Sequence, residues 1–189
     1  MSVAMADHIG PWTAADVLAL PEDRRHRYEL LGESLIMTPA PGLRHQRASY
    51  RLHVALDSAA RDAGAPVEVL EAVNVITSNG LFVPDIVVAD AGATATDGVS
   101  IDAEAVQLIV ELVSPGNAEM DRTVKPQLYA RAGISHFWRV EFAPAPRIIV
   151  MALRGGRYVE QATALPGVVT KVDEPFPFSI DPAGVATQQ

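Results

Sequence analysis

Val83-Pro84-Asp85-Ile86-Val87-Val88 and Leu108-Ile109-Val110-Glu111-Leu112-Val113 are the two stretches on which the reading of this chain turns. Each is an apolar run of strand length holding one carboxylate. Continuous apolar runs of this kind belong to strands covered on both faces, as in a sheet sandwiched by helices, and not to an open antiparallel meander. An ionised carboxylate buried there without a partner costs several kcal/mol or takes up a proton. Two of them in neighbouring strands imply a cation, a shared proton or a specific base pair. A divalent metal is the simplest of these, and Lys125 follows close behind.

Outward from these runs, the pattern alternates between helical and strand periods. Thr13 caps a short helix through Leu20, with Asp16 in the capping-box position and Pro21 closing it. Tyr28 to Leu31 and Ser34 to Met37 read as a hairpin around Gly32-Glu33. The longest helix signal runs from about Leu43 to Ala63, with Leu52, Ala55, Leu56, Ala59 and Ala63 on its apolar face and Gly64 as its stop. Strand signals follow at Val67 to Thr77, Leu81 to Ala89 and Val106 to Val113. A second helix is expected between Asn117 and Ala132, ahead of Gly133. Phe137 to Phe142, Arg147 to Leu153 and Arg157 to Gln161 read as further strands, the last two joined by a Gly155-Gly156 turn. After Glu174 the chain reads Pro-Phe-Pro-Phe and then a polar tail.

Composition bounds the function classes. With 189 residues, 49% of them hydrophobic, the chain is long enough for a single buried domain over 1–189, with a core from about 12 to 180. The formal net charge is -8. Residues 1–61 carry seven Arg against seven Asp and Glu, so the remainder holds eight basic and sixteen acidic residues. That balance argues against a protein that coats nucleic acid and leaves room only for a focal contact. Without cysteine, disulfides, zinc-thiolate sites and a Cys nucleophile are excluded. Met1 to Gly10 lacks the pattern of a secretion signal and no stretch reaches the roughly 20 apolar residues of a membrane span, so a cytoplasmic location without membrane contact is expected.

Pro84-Asp85, Glu111-Leu112-Val113-Ser114-Pro115, Asp121, Lys125, Tyr129-Ala130-Arg131-Ala132-Gly133 and Phe137-Trp138, together with Tyr28-Glu29-Leu30, Gly32 and His45-Gln46, occur in an order that resembles the Uma-two family of endonucleases. That family lies within the PD-(D/E)XK restriction-endonuclease-like superfamily. The resemblance covers roughly Trp12 to Phe142. It implies an α/β (α+β) fold with a mixed central sheet flanked by helices, extended by antiparallel strands at the C-terminus. It also implies a metal-dependent endonuclease acting on DNA, with Asp85 and Glu111 binding Mg²⁺ or Mn²⁺. Hard oxygen ligands suit such ions, which polarise a phosphate and lower the pKa of a bound water. Glu29 matches an acidic residue that such folds bring to the site, and the main-chain carbonyl of Leu112 is a further candidate ligand.

The superfamily's usual lysine falls two residues after the strand carboxylate, where this chain has Val113. Lys125 matches the lysine that the family carries on the following helix, where it would orient or deprotonate water. Pro126 is tolerated if that helix begins near Thr123, and Lys125 would then meet a helix N-terminus that lowers its pKa. His45 shares the buried side of the long helix and is a candidate for contact with a phosphate, a metal-bound water or Glu29. Arg44 and Arg47, with Arg51, recur along one side of that helix as a candidate phosphate-binding surface. Trp138, Tyr129 and Phe137 read as core more readily than as base-stacking platforms. Ser114 lacks partners for a serine hydrolase, and Gly155-Gly156 is not a phosphate loop.

Two alternatives stay open at this level. One is a nuclease-fold module that binds nucleic acid or protein with little or no cleavage. The other is a paired-carboxylate hydrolase acting on sugars, which predicts metal-independent activity. A homodimer is expected from the demands of double-strand cleavage. With no separate recognition domain in view, low intrinsic sequence specificity is expected too.

Overall fold

The computed structural model describes residues 8–186; the start of the segment read for a secretion signal, residues 1–7, lies outside the described residues. Helix α1 (Ala14–Leu18) opens on a reciprocal capping box, in which Asp16 donates its N–H to the Thr13 hydroxyl oxygen at 3.2 Å and Thr13 donates its N–H back to the Asp16 carboxylate at 2.9 Å. Strands β1 (His26–Leu31) and β2 (Ser34–Pro39) form the expected hairpin, its turn made possible by Gly32 at φ 60°. Helix α2 (Leu43–Asp62) follows and turns off at Gly64.

The next two apolar segments each divide between two sheets, where one continuous strand was expected from each. Val67 to Thr77 becomes β3 (Val67–Glu71) and β4 (Asn74–Thr77), broken at Ala72, which has a positive φ of 52°. The run around Asp85 becomes β5 (Gly80–Phe82) and β6 (Ile86–Asp90), broken at Val83-Pro84-Asp85. Pro84 has no N–H to give to a ladder, so the break falls there. A short helix α3 (Ala91–Thr94), strand β7 (Ser100–Asp102) and strand β8 (Val106–Leu112) come next.

A π-helical turn (Met120–Val124) leads into α4 (Lys125–Arg131), after which β9 (His136–Glu141) runs parallel to β8. Strands β10 (Arg147–Arg154) and β11 (Arg157–Ala164) complete an antiparallel meander around Gly155-Gly156, both at positive φ. The six-stranded sheet has the order β11-β10-β9-β8-β6-β3, and the five-stranded sheet the order β2-β1-β5-β4-β7.

Side chains alternate across a strand, so β6 and β8 serve two cores at once. Ile86, Val88, Leu108 and Val110 pack on one face against Leu52 and Leu56 of α2. On the other face Val87 and Ile109 meet Phe82 and Val75 of the smaller sheet and Tyr129 of α4. Both faces are covered, as the apolar runs demanded, but the second cover is largely a sheet and not only helices. The C-terminal tail also departs from expectation. It forms a hairpin of β12 (Thr170–Val172) and β13 (Phe178–Ile180) followed by α5 (Pro182–Ala186), with Phe176, Phe178, Ile180 and Val185 buried in the α2-side core. The alternation of apolar residues at 176, 178 and 180 puts them on one face, which the polar composition of the tail disguised. No helix among the described residues is long and apolar enough to cross a membrane.

Candidate active site

Register brings Glu111 of β8 together with Asp85, which immediately precedes β6. Strands β6 and β8 pair antiparallel with Ile86 opposite Val110, so one step further Asp85 lies opposite Glu111. Alternation turns both towards the face of Val87 and Ile109, under the smaller sheet and α4. Glu29 arrives on that face from β1, on the same side as Leu31, which packs against this core. All three carboxylates are buried.

Asp85 is held by the chain's own donors. Its Oδ1 accepts from Arg27 Nη1 at 2.8 Å, and its Oδ2 accepts from the backbone N–H of Leu112 at 2.9 Å. His45 Nε2 also stands 2.8 Å from Oδ1, off the line of a well-aligned hydrogen bond. Burial works against the charge of Asp85, but His45 and then Arg27 outweigh it and hold the carboxyl below its ordinary range.

Lys125 organises the other half of the site. Its Nζ lies 2.9 Å from Glu29 Oε1, 3.1 Å from Glu111 Oε1 and 4.0 Å from Asp121 Oδ1. Glu29 Oε1 additionally accepts the Val83 N–H at 2.9 Å, tying β1 to the link that carries Asp85. Glu111 Oε1 accepts the Tyr129 hydroxyl at 2.6 Å. Three carboxylates thus surround one ammonium. Burial, opposed by Lys125 and reinforced by Asp85 and Asp121, pushes Glu111 up to about 8. Burial likewise pushes Asp121 up to about 6, again against the pull of Lys125.

The helix N-terminus does not lower the pKa of Lys125. Burial acts in that direction, but Glu111 and Glu29 overcome it and raise the value well above that of a free lysine. A seven-residue helix offers a weak dipole, whereas the carboxylates are in direct contact. Lys125 is a fixed cation here and not a ready base. Its position owes much to Pro126, which lacks the N–H that would bond to the carbonyl of Arg122. The chain widens by one residue instead, and the Lys125 N–H bonds to the Met120 carbonyl in a π turn. That turn buries Asp121 and Lys125 side by side, with Pro126 in the first turn of α4.

The carboxylates line a cleft of about 830 Å³, along with Arg27, Arg44, His45, Leu112, Val113 and Arg122. Arg44 stacks over the Phe142 ring at 4.7 Å and reaches the Phe142 carbonyl at 3.4 Å. Arg47 is exposed and does not line the cleft, so the basic side of α2 does not act there as a unit. Trp138, Tyr129 and Phe137 are fully buried and are core. The partner of His45 is Asp85 and not Glu29.

Three participants were not singled out for these contacts from the sequence. Arg27 binds Asp85 across 58 positions, a pairing that no local sequence pattern indicates. Asp121 entered only among the residues that carry the family resemblance, and it is buried beside Lys125. Tyr129 was read as core, and a buried tyrosine where phenylalanine would pack equally well was the signal that its hydroxyl needs an acceptor.

Among the described residues no three His, Asp or Glu side chains converge as a ready-made metal cage. The reason is local, since Lys125 stands between Glu29 and Glu111 while Arg27 and His45 cover Asp85. The donor set nevertheless fits a hard divalent cation. It is all oxygen, it carries more negative charge than Lys125 neutralises, and Mg²⁺ needs only one or two carboxylates because it retains its waters.

A family model described as "Uma2: Putative restriction endonuclease" matches residues 14–184. No curated protein matches the chain. Among solved structures, "a putative nuclease belonging to DUF820 from Anabaena variabilis ATCC 29413" is similar with a TM-score of 0.67 at 18% identity, over 86% of this chain and 89% of that one. The likeness shows the fold, mixed sheets flanked by helices.

Proposed function

The chain belongs to the Uma2 restriction-endonuclease family, and from that premise we propose that it is a metal-dependent endonuclease that hydrolyses phosphodiester bonds in DNA, built as one restriction-endonuclease-like domain. The observation that carries the reading is the placement of Asp85, just before β6, beside Glu111 of the neighbouring β8, both lining a cleft with Lys125 bridging Glu111 to Glu29. Asp85 and Glu111 would hold Mg²⁺ or Mn²⁺, with Glu29 and the Leu112 carbonyl as further ligands. When bound, the ion supplies charge neutralisation at the scissile phosphate and a more acidic water.

The chain's own residues do the rest. Lys125, kept cationic by its carboxylates, orients water and offsets negative charge that develops on the phosphate. Tyr129 fixes the rotamer of Glu111 through its hydroxyl. Asp121, which lines the cleft beside Lys125 and whose raised value of about 6 leaves it ionised near neutral pH, would accept a proton from attacking water. His45 and Arg44 line the cleft where a substrate phosphate would enter. Arg27 and the Leu112 N–H hold the Asp85 carboxylate in place, with His45 beside it.

One observation favours a second reading, a binding module of the same fold. Both oxygens of Asp85 are engaged by protein donors, and Val113 occupies the usual lysine position. Plasmid cleavage separates the two. Metal-dependent nicking lost in Asp85→Asn supports the enzyme, and a folded wild type inert with every divalent ion supports the module.

A further inference from the structure

Beside the carboxylate cleft lies an arginine cluster that the catalytic reading does not use. Glu141, at the end of β9, is 2% exposed. Its Oε1 is 3.2 Å from Arg122 Nε and 3.0 Å from Arg139 Nε, and its Oε2 accepts from Arg147 Nη2 at 2.8 Å and from Arg122 Nη2 at 3.2 Å. Burial opposes its charge, but the hydrogen bonds from Arg147 and Arg122 prevail and hold the carboxyl low. One carboxylate therefore hydrogen-bonds two guanidiniums and stands within ion-pair distance of a third, so three positive charges meet one negative charge in a chain of net charge -8.

Its placement ties it to the cleft. Arg139 is the strand partner of Glu111 across the β8–β9 pair, about 4.8 Å away in the sheet. Glu141 follows on the same face two residues later, and Arg147 is its partner on β10. Arg122 belongs to the π turn beside Asp121 and lines the cleft itself. The side chains of Arg122 and Arg147 remain 45% and 42% exposed, so their outer N–H groups face solvent while Glu141 holds their inner ones. A planar fork of this kind, immobilised and half desolvated, matches a phosphate diester.

We propose that Arg122, Arg139 and Arg147, positioned by Glu141, form an anion site for a backbone phosphate of the nucleic-acid strand next to the phosphate held by the carboxylate cleft. The identity of the ligand rests on the nuclease reading. Glu141 is a positioning residue in this arrangement, and the arginines give the focal basic contact that an acidic chain needs to hold a polyanion.

The test is binding without cleavage. Labelled 20-nucleotide duplex DNA, single-stranded DNA and RNA are titrated in EDTA at several salt concentrations against the wild type, Arg122→Gln/Arg147→Gln and Arg157→Gln. The last removes an exposed charge at the far end of the same sheet. The double variant is expected to bind the preferred strand about tenfold more weakly, with a log–log salt slope smaller by about 1. Arg157→Gln should match the wild type, and Arg122→Lys/Arg147→Lys should recover part of the loss. Unchanged binding and slope in the double variant, with an unfolding temperature like the wild type's, overturn the proposal and leave the cluster a structural ion-pair network. Absence of binding to all three strands by the wild type overturns it too. Failure of the nuclease reading shows separately, as absence of metal-dependent cleavage while arginine-dependent binding persists.

Discussion

The ammonium of Lys125 lies 3.1 Å from Oε1 of Glu111, buried on a face that β8 and α4 share. That contact joins a carboxylate set in an apolar strand to the one lysine the site contains, and it determines how the cluster responds to mutation and to pH.

Replacing Lys125 with Met leaves Glu29, Glu111 and Asp121 buried around a neutral side chain. Removing one member of a buried ionic cluster costs about 3–5 kcal/mol. Urea denaturation at pH 7 should show a loss of that order, part of which returns at pH 5, where Glu111 and Asp121 are protonated.

Glu111 and Asp121 make stability fall with rising pH. Their ordinary values of 4.5 and 3.8 are pushed up to about 8 and about 6, so the folded state binds protons that the unfolded chain has released. The stability from these protons is fully present below about 4 and is lost as pH rises through 6 and 8, with a slope of at most about 1.4 kcal/mol per pH unit for each proton. Asp85, held low, acts in the opposite sense and withdraws stability only as pH falls below 3.8. Urea midpoints should decline from pH 5 to pH 8 in the wild type and much less in Glu111→Gln.

Much of this was legible in the sequence, and the reasons differ by residue. Asp85 and Glu111 stood out because a charge inside an apolar run needs an explanation, whereas their common face depends on the register of β6 against β8, which the sequence does not report. The hairpin at Gly32, the stop at Gly64 and the turn at Gly155-Gly156 followed from glycine's access to positive φ. The division of Val67 to Thr77 between two sheets was not legible, since both halves have strand propensity and Ala72 carries no local sign of a break. The pairing of Arg27 with Asp85 depends on two sheets meeting, which no local pattern reports. The cationic state of Lys125 required knowing how many carboxylates surround it.

Tyr129→Phe tests the hydroxyl on Glu111. The 2.6 Å bond is charge-assisted when Glu111 is ionised, and its removal should cost about 1.5–3 kcal/mol at pH 8. If the nuclease reading holds, turnover should fall more than substrate binding, measured as a drop in kcat with little change in KM.

Gly80→Ala tests the scaffold at a distance from the chemistry. Gly80 has φ 151°, and an added Cβ would sit 1.9 Å from the Leu30 carbonyl oxygen, in the β1–β5 pairing that positions Glu29. The substitution should destabilise by on the order of 3 kcal/mol. Thermal unfolding checks the loss, and no change would mean that β1 is not held against β5 as described.

The most direct measurement of the central claim is nicking of supercoiled plasmid by the wild type, Asp85→Asn and Glu111→Gln, each with Mg²⁺, Mn²⁺ or EDTA and each shown to be folded. Nicking is expected from the wild type with a divalent ion and not with EDTA, with a loss of at least about a hundredfold in both variants. Cleavage that survives EDTA or either substitution, or a folded wild type inert with both ions, would contradict that claim.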